Sequence, residues 1–317
     1  MNDCLEIEEV STIKPSLADH VFLCSASPEK RCCGVIEKLS GSYRVNQSII
    51  IQYEHKSQRR KENMLDMEKH LLQFGSVDKC VMNESAVLPK INELILNIRS
   101  MVKKQEPPRI TIDITTIIKW HLLLLLKALA QHTLLPYVRF LYTEPQEYVI
   151  ERPLSVYVRE IFPVPLFQGH YNFSRNTLLV IILGYEGNRA IALFENIDPD
   201  ECLLIVAKPA YNLEWEGRTE KMNKEIINLV GRKKVKYLHS RNPRIVTEQL
   251  EKLLLSKKFL TYNHFIAPLG TKPQVLGLFN YYQNHQEQTN VVSISPLRHS
   301  ELYSKEIGKT WVLQQPK

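Results

Sequence analysis

The chain lacks a CxxC pair, a His/Cys cluster at metal-ligand spacing, a GxxxxGK[ST] phosphate loop and a GxGxxG dinucleotide fingerprint. Its six cysteines (Cys4, Cys24, Cys32, Cys33, Cys80, Cys202) therefore spell no zinc site. With no signal-sequence pattern in the acidic, polar start "MNDCLEIEEV", they point to a reducing cytoplasm. The missing glycine motifs leave a P-loop ATPase and an ordinary dehydrogenase without support. The longest uninterrupted apolar run is Leu122 to Leu126, far short of the roughly 18 residues a membrane span needs. No nuclease, protease or transmembrane effector pattern is visible, nor any low-complexity tail.

What is present is ordinary material for a full core: 317 residues, 44% of them hydrophobic, with two domains expected from length. The net charge of +7 is modest and spread over short runs at Arg59 to Lys61, Lys103-Lys104, Arg232 to Lys234 and Lys257-Lys258. Such runs read as solvated helix faces and ends, or as cations that draw an anionic ligand toward a site.

Short β-branched runs alternate with longer helical segments, the pattern of parallel βαβ units. In the first half the strands are "HVFLCSA", "SIIIQY", "KCVM", "RITIDI" and "YVRFLYT", with helices beginning near Glu29, Arg60, Val87 and Lys119. The alternation restarts at Leu178 with "LLVIILG", "ECLLIVA", "KVKYLHS", "HFIAPL" and "NVVSIS", and helices begin near Asn188, Thr219, Arg244 and Pro273. The fold expected is α/β, with two tandem Rossmann-like parallel-sheet units related by internal duplication. The boundaries are 1–148 for the first unit, 149–177 for a proline-bearing connector able to contribute an edge hairpin, and 178–317 for the second.

Two matched loops support the duplication. After the first strand of each half an acidic residue precedes an arginine, in "SASPEKRCCGVIEKL" and "LGYEGNRAIALFENI", which makes Arg31 equivalent to Arg189. After the fourth strand comes a threonine-lysine turn, in "DITTIIKWHLLLLLKAL" and "APLGTKPQVLGLFNYY", which pairs Lys119 with Lys272 at nearly the same interval. In an open parallel sheet of order 3-2-1-4-5, ligands bind between the first and fourth strands, where these loops fall.

Helix N-termini with a first-turn cation make an anion site. Ser25, Ser27, Glu29, Arg31, Asp113, Thr115, Thr116 and Lys119 are the ligand-site candidates of the first half, and Gly184, Tyr185, Glu186, Arg189, Gly270, Thr271 and Lys272 those of the second. Each has a plainer reading. Asp113 with Thr115 and Thr116 makes turn and cap chemistry; Arg31 and Arg189 pair locally with Glu29 and Glu186; the lysines are solvated. His121 reads first as a satisfied, partly buried histidine, and the cysteines as core. Tyr142, Thr143 and Glu144, like Ser295, Arg298 and His299, either line the cleft or shape turns.

The strand ending in Asp113-Ile114-Thr115, its turn, Lys119 and the apolar helix behind it resemble the "DxTxGTK" region of CARF domains and of the related SAVED domains. Gly270-Thr271-Lys272 contains the Gly-Thr-Lys directly. Thr116-Ile117-Ile118 stands where that pattern has glycines, and Ala267-Pro268 where it has the acidic and threonine positions. The resemblance implies Rossmann-like domains that bind cyclic oligonucleotides in prokaryotic antiviral defence. It further implies that Lys119 and Lys272 contact phosphates while the loops Ser25 to Arg31 and Gly184 to Arg189 close around the nucleotide.

Three functions remain open on these residues. One is a sensor of an anionic nucleotide that signals to a separate effector or complex subunit. Another is a metal-independent phosphodiesterase of the ring-nuclease kind, with Lys or Arg stabilising phosphate charge and Glu29 or Glu186 as acid–base groups. The third is a scaffold subunit of a defence complex. No cofactor, metal or membrane is called for; contact with nucleic acid stays open.

Overall fold

A computed structural model describes residues 6–13, 18–54, 57–103, 107–148, 155–210, 217–299 and 304–314. Cys4, Lys104 and the 149–154 part of the connector lie outside these. The chain divides into two compact units, residues 1–152 with 301–317, and residues 153–300.

In chain order the first unit holds β1 (Glu6–Val10), β2 (Asp19–Ser25), β3 (Val45–Tyr53), α1 (Gln58–Leu71), β4 (Ser76–Met82), α2 (Val87–Val102), β5 (Ile110–Asp113), α3 (Lys119–Gln131) and β6 (Val138–Tyr148). The second follows with β7 (Ser155–Pro163), β8 (Thr177–Ile182), α4 (Gly187–Ile197), β9 (Glu201–Ala207), α5 (Arg218–Met222), α6 (Lys224–Val230), β10 (Val235–Leu238), α7 (Pro243–Leu254), β11 (Asn263–Pro268), α8 (Lys272–Asn284) and β12 (Thr289–His299). The chain then returns to the first unit as β13 (Ser304–Gln314).

The first sheet has the order β1-β13-β6-β5-β2-β3-β4 and the second β10-β9-β8-β11-β12-β7. The five expected strands of each half pair in parallel in the expected 3-2-1-4-5 order. Every residue of β2, β5 and β8 is buried, as a parallel strand covered on both faces requires. The five consecutive leucines of α3, Leu122 to Leu126, are at most 1% exposed, so the helix is sunk on all sides. Among the described residues no helix is long and apolar enough to cross a membrane.

Three features depart from the expected pattern. The connector supplies β7, which pairs antiparallel with β12 and belongs to the second unit. Residues 304–314, assigned to the second unit with no strand expected, form β13, which lies antiparallel between β1 and β6 of the first. The β2-to-β3 crossover is no α-helix but two 3-10 turns, Lys30–Cys33 and Ile36–Lys38. Six consecutive buried residues, Arg31 to Ile36, cannot share one helical stripe, and the tighter turns bury them all.

At the amino ends of the first sheet's strands, one carboxylate oxygen of Asp19 accepts from Tyr43 Oη at 2.6 Å, Thr111 Oγ1 at 2.7 Å and Arg139 Nη2 at 2.9 Å. Burial and the Asp19 charge push the Tyr43 phenol far above its ordinary pKa. In the second unit the Asn263 side chain accepts from Asn172 N and donates to the Asn172 and Arg175 carbonyls, closing the loop before β8.

α7 and α8 pack at Gly277, where an added Cβ would stand 2.6 Å from the Pro243 carbonyl oxygen and from Val246 Cβ. Gly277→Ala is therefore expected to destabilise by about 1–3 kcal/mol through overpacking, although the same change in an open helix stabilises by about 1 kcal/mol. Denaturant melts of the two proteins read the sign.

Candidate functional site

β2 and β5 are neighbours, yet the chain leaves β2 toward β3 and leaves β5 toward β6 on the other side. The gap beyond their carboxyl ends is thus a switch point. Ser25 closes β2 and Thr116 follows β5, and the two are bound to each other. Thr116 donates its hydroxyl proton to the Ser25 carbonyl at 2.8 Å, so the Ser25 hydroxyl, 2.8 Å from Thr116 Oγ1, is the donor in the second bond.

Behind this clasp, Asp113 Oδ1 accepts from the Thr115 backbone N–H at 2.9 Å and from the Thr115 hydroxyl, and Thr115 Oγ1 accepts from Thr143 N at 2.9 Å. Asp113 is 2% exposed and Thr115 not at all. These contacts are turn chemistry, locking the strand end to β6.

Thr116 leads into α3. Ile118, its N-cap, offers no side-chain acceptor, and no acidic residue stands in the first turn, where half-buried Lys119 sits. The helix therefore presents its positive end beside a lysine. The Ile118 N–H donates to Tyr53 Oη at 3.2 Å, and Arg60 Nη1 donates to the Tyr53 carbonyl at 3.3 Å.

His121 departs from its expected state: it is 3% exposed, and neither ring nitrogen has a hydrogen-bond partner among the described residues. Its ring lies 5.3 Å from the Tyr53 ring and edge-on to Trp120 at 4.0 Å. Burial drags its pKa down to about 3, so the imidazole is neutral. Each unmet buried polar group costs about 1–3 kcal/mol.

Glu29 and Arg31 form a buried pair, Nε to Oε2 at 2.6 Å, each side chain 6% exposed. Arg31 also donates to the Thr143 carbonyl at 3.3 Å, and Ser304 of β13 donates to Glu29 at 2.8 Å. Ser27 accepts the Glu29 N–H at 3.2 Å, and its own carbonyl accepts from Asn63 of α1. This loop is fastened to β6, β13 and α1. Tyr142, Thr143 and Glu144 are buried along β6.

In the second unit the equivalent gap lies between β8 and β11. A Cβ on Gly184 would stand 2.6 Å from the Leu269 carbonyl oxygen, so the two loops touch there. Asn223 donates to the Gly184 carbonyl at 3.0 Å and to Thr219 O at 2.8 Å; Arg218 donates to Tyr185 Oη at 3.0 Å with its guanidinium 5.2 Å over the ring. Arg189 Nε is 3.9 Å from Glu186, the N-cap residue of α4.

Gly270 leads into α8, whose start is closed by its own side chains: Thr271 Oγ1 accepts from Gln274 N, and Gln274 Oε1 accepts from Thr271 N at 2.9 Å. The single hydroxyl proton of Thr271 goes to the Ser240 carbonyl at 2.7 Å, and Lys272 is the first helical residue. Ser295, Arg298 and His299 fall on β12, the last two with side chains outside the described set. Of the basic runs, Arg232 pairs with Glu220, and Lys234 and Lys258 with Glu201. Among the described residues no group of three His, Cys, Asp or Glu is placed to hold a metal.

Tyr53, Arg60, Arg218 and Asn223 were not among the sequence candidates. They come from the ends of second strands and the helices behind them; of the four only Arg60, in the Arg59 to Lys61 basic run, carried any local signal.

Glu29→Gln or Arg31→Met alone is expected to cost about 3–5 kcal/mol in urea denaturation, with the double variant losing less than either, because each single change strands a buried partner. Acid denaturation tests His121. The unfolded chain protonates it near pH 6.5 but the folded chain only near about 3, so stability held above that window drains as pH falls through it, and His121→Phe flattens this limb.

No protein-family model and no curated relative matches the sequence. Among solved structures, a Type III CRISPR defence DNA nuclease activated by cyclic oligoadenylate matches over 90% of this chain and 67% of its own, with TM-score 0.53 and 9% identity. The cytoplasmic domain of a prokaryotic cation chloride cotransporter matches over 90% and 99% respectively, with TM-score 0.26 and 7% identity, too remote to carry an argument. At 9% identity the first likeness is one of fold, and it spans both units.

Proposed function

We propose that the protein is an antiviral-defence sensor that binds an anionic nucleotide of the cyclic-oligonucleotide type at the switch point of its first unit and signals to a separate effector. The observation that carries this reading is the start of α3: a positive helix end with no side-chain cap and no first-turn acid, bearing Lys119, beside the Ser25–Thr116 clasp. The fold likeness to a nuclease activated by cyclic oligoadenylate and the CARF-like "DIT…K" segment support the class of ligand. Lys119 would hold phosphate, with the Ser25 to Arg31 loop as a fixed wall. In the second unit Tyr185, Arg189 and Lys272 would take the corresponding roles.

Binding is favoured over turnover because Glu29, the acid–base candidate of the first half, is held by Arg31 and Ser304 inside the protein. A phosphodiesterase that used Glu29 would need its carboxylate at the phosphate.

Titration calorimetry with cyclic di-, tri- and tetranucleotides is expected to find one that binds and is recovered uncleaved by chromatography. Lys119→Ala should weaken it at least about tenfold, the worth of a charge-assisted hydrogen bond, and added salt should weaken it further. Absence of binding by the whole panel would sink the sensor, and cleaved product lost in Lys119→Ala would make it an enzyme.

A further inference from the structure

Resting on that reading, we propose that Tyr53 and His121 form a gate on the α3 anion site: a phosphate-type anion takes the Ile118 N–H from the Tyr53 hydroxyl, and the displaced hydroxyl turns to donate to His121.

Two independent observations meet here. The first is that the donor at the head of a 13-residue helix is occupied by a neutral phenol oxygen at 3.2 Å, in a place whose field favours an anion. Between a phenol and a phosphate oxygen, the charged acceptor makes the stronger bond. The second is that His121, in the first turn of the same helix, is 97% buried by its 3% exposure and has both ring nitrogens without a partner among the described residues. Side chains on a helix lean toward its amino end, which sets this ring against the Tyr53 ring at 5.3 Å.

A neutral imidazole carries one nitrogen lone pair able to accept a hydroxyl proton, and the depressed basicity of His121 keeps that lone pair available near neutrality. The Tyr53 hydroxyl proton and the idle His121 nitrogen are therefore complementary, and a swing of the Tyr53 side chain about its Cα–Cβ bond would bring the two together. Arg60 grips the Tyr53 carbonyl, so the backbone stays while the ring moves. Trp120, edge-on to His121 at 4.0 Å, is the natural reporter. Occupancy at the phosphate site is thus converted into a new position of the Tyr53 side chain at the end of β3.

The test uses the whole chain with two probes, inorganic pyrophosphate and cyclic tetra-adenylate. In wild type, ¹⁵N NMR of the histidine ring should show one His121 nitrogen become a hydrogen-bond acceptor when either probe binds. In a binding cycle, His121→Phe should weaken the anion about fivefold, one neutral hydrogen bond, but change nothing when introduced into Tyr53→Phe. Cyclic nucleotide binding with an unmoved His121 signal overturns the gate and leaves the sensor standing. Pyrophosphate binding with a moved signal, and no nucleotide binding, supports the gate and overturns the sensor. Binding of neither overturns both. Because the NMR arm needs no variant, a misfolded His121→Phe cannot mask the result.

Discussion

The two hydroxyl bonds between Ser25 and Thr116 fix the geometry from which the first site is built. They join the loops leaving β2 and β5, the one place in a 3-2-1-4-5 sheet where neighbouring strands send the chain in opposite directions. With those loops tied, the Asp113–Thr115 turn can anchor to β6, and α3 must start where its positive end faces outward over the gap. The clasp extends the β2–β5 ladder by one further tie, just before α3 begins.

The two units solve the same junction differently. In the second, α8 is closed by Thr271 and Gln274, and Thr271 spends its proton on Ser240. In the first, α3 begins with no capping side chain and draws instead on a phenol from β3. A capping box satisfies a helix permanently, whereas a phenol borrowed from a neighbouring strand can be exchanged. One junction is thus closed by its own side chains, while the other rests on an acceptor borrowed from a strand.

Strand order, every expected helix start except that near Glu29, and the position of both junctions were legible in the sequence because continuous apolar runs such as "TLLVII" and leucine-filled "HLLLLL" have few alternatives in an α/β chain. Lys119 and Lys272 were legible as first-turn residues for the same reason. The pairing of Arg31 with Glu29 was legible as the plainer of two readings, but its burial was not, because it draws on β13, whose Ser304 reaches Glu29 from 275 residues further along the chain. β13 itself was missed because "SKEIGKTWVLQ" mixes charge and a glycine and has no hydrophobic face until it lies between β1 and β6. His121 was misjudged as satisfied, since local sequence cannot reveal whether a buried ring finds a partner.

The placement of β13 also bears on synthesis. Residues 153–300 are contiguous and form a unit by themselves, so they can reach their final structure as soon as they leave the ribosome. The earlier-made first unit cannot: its sheet stays open between β1 and β6, and Glu29 lacks Ser304, until residue 314 has been added. The half made first is finished last, and the Ser25 to Arg31 loop gains its Ser304 contact only once β13 has been made.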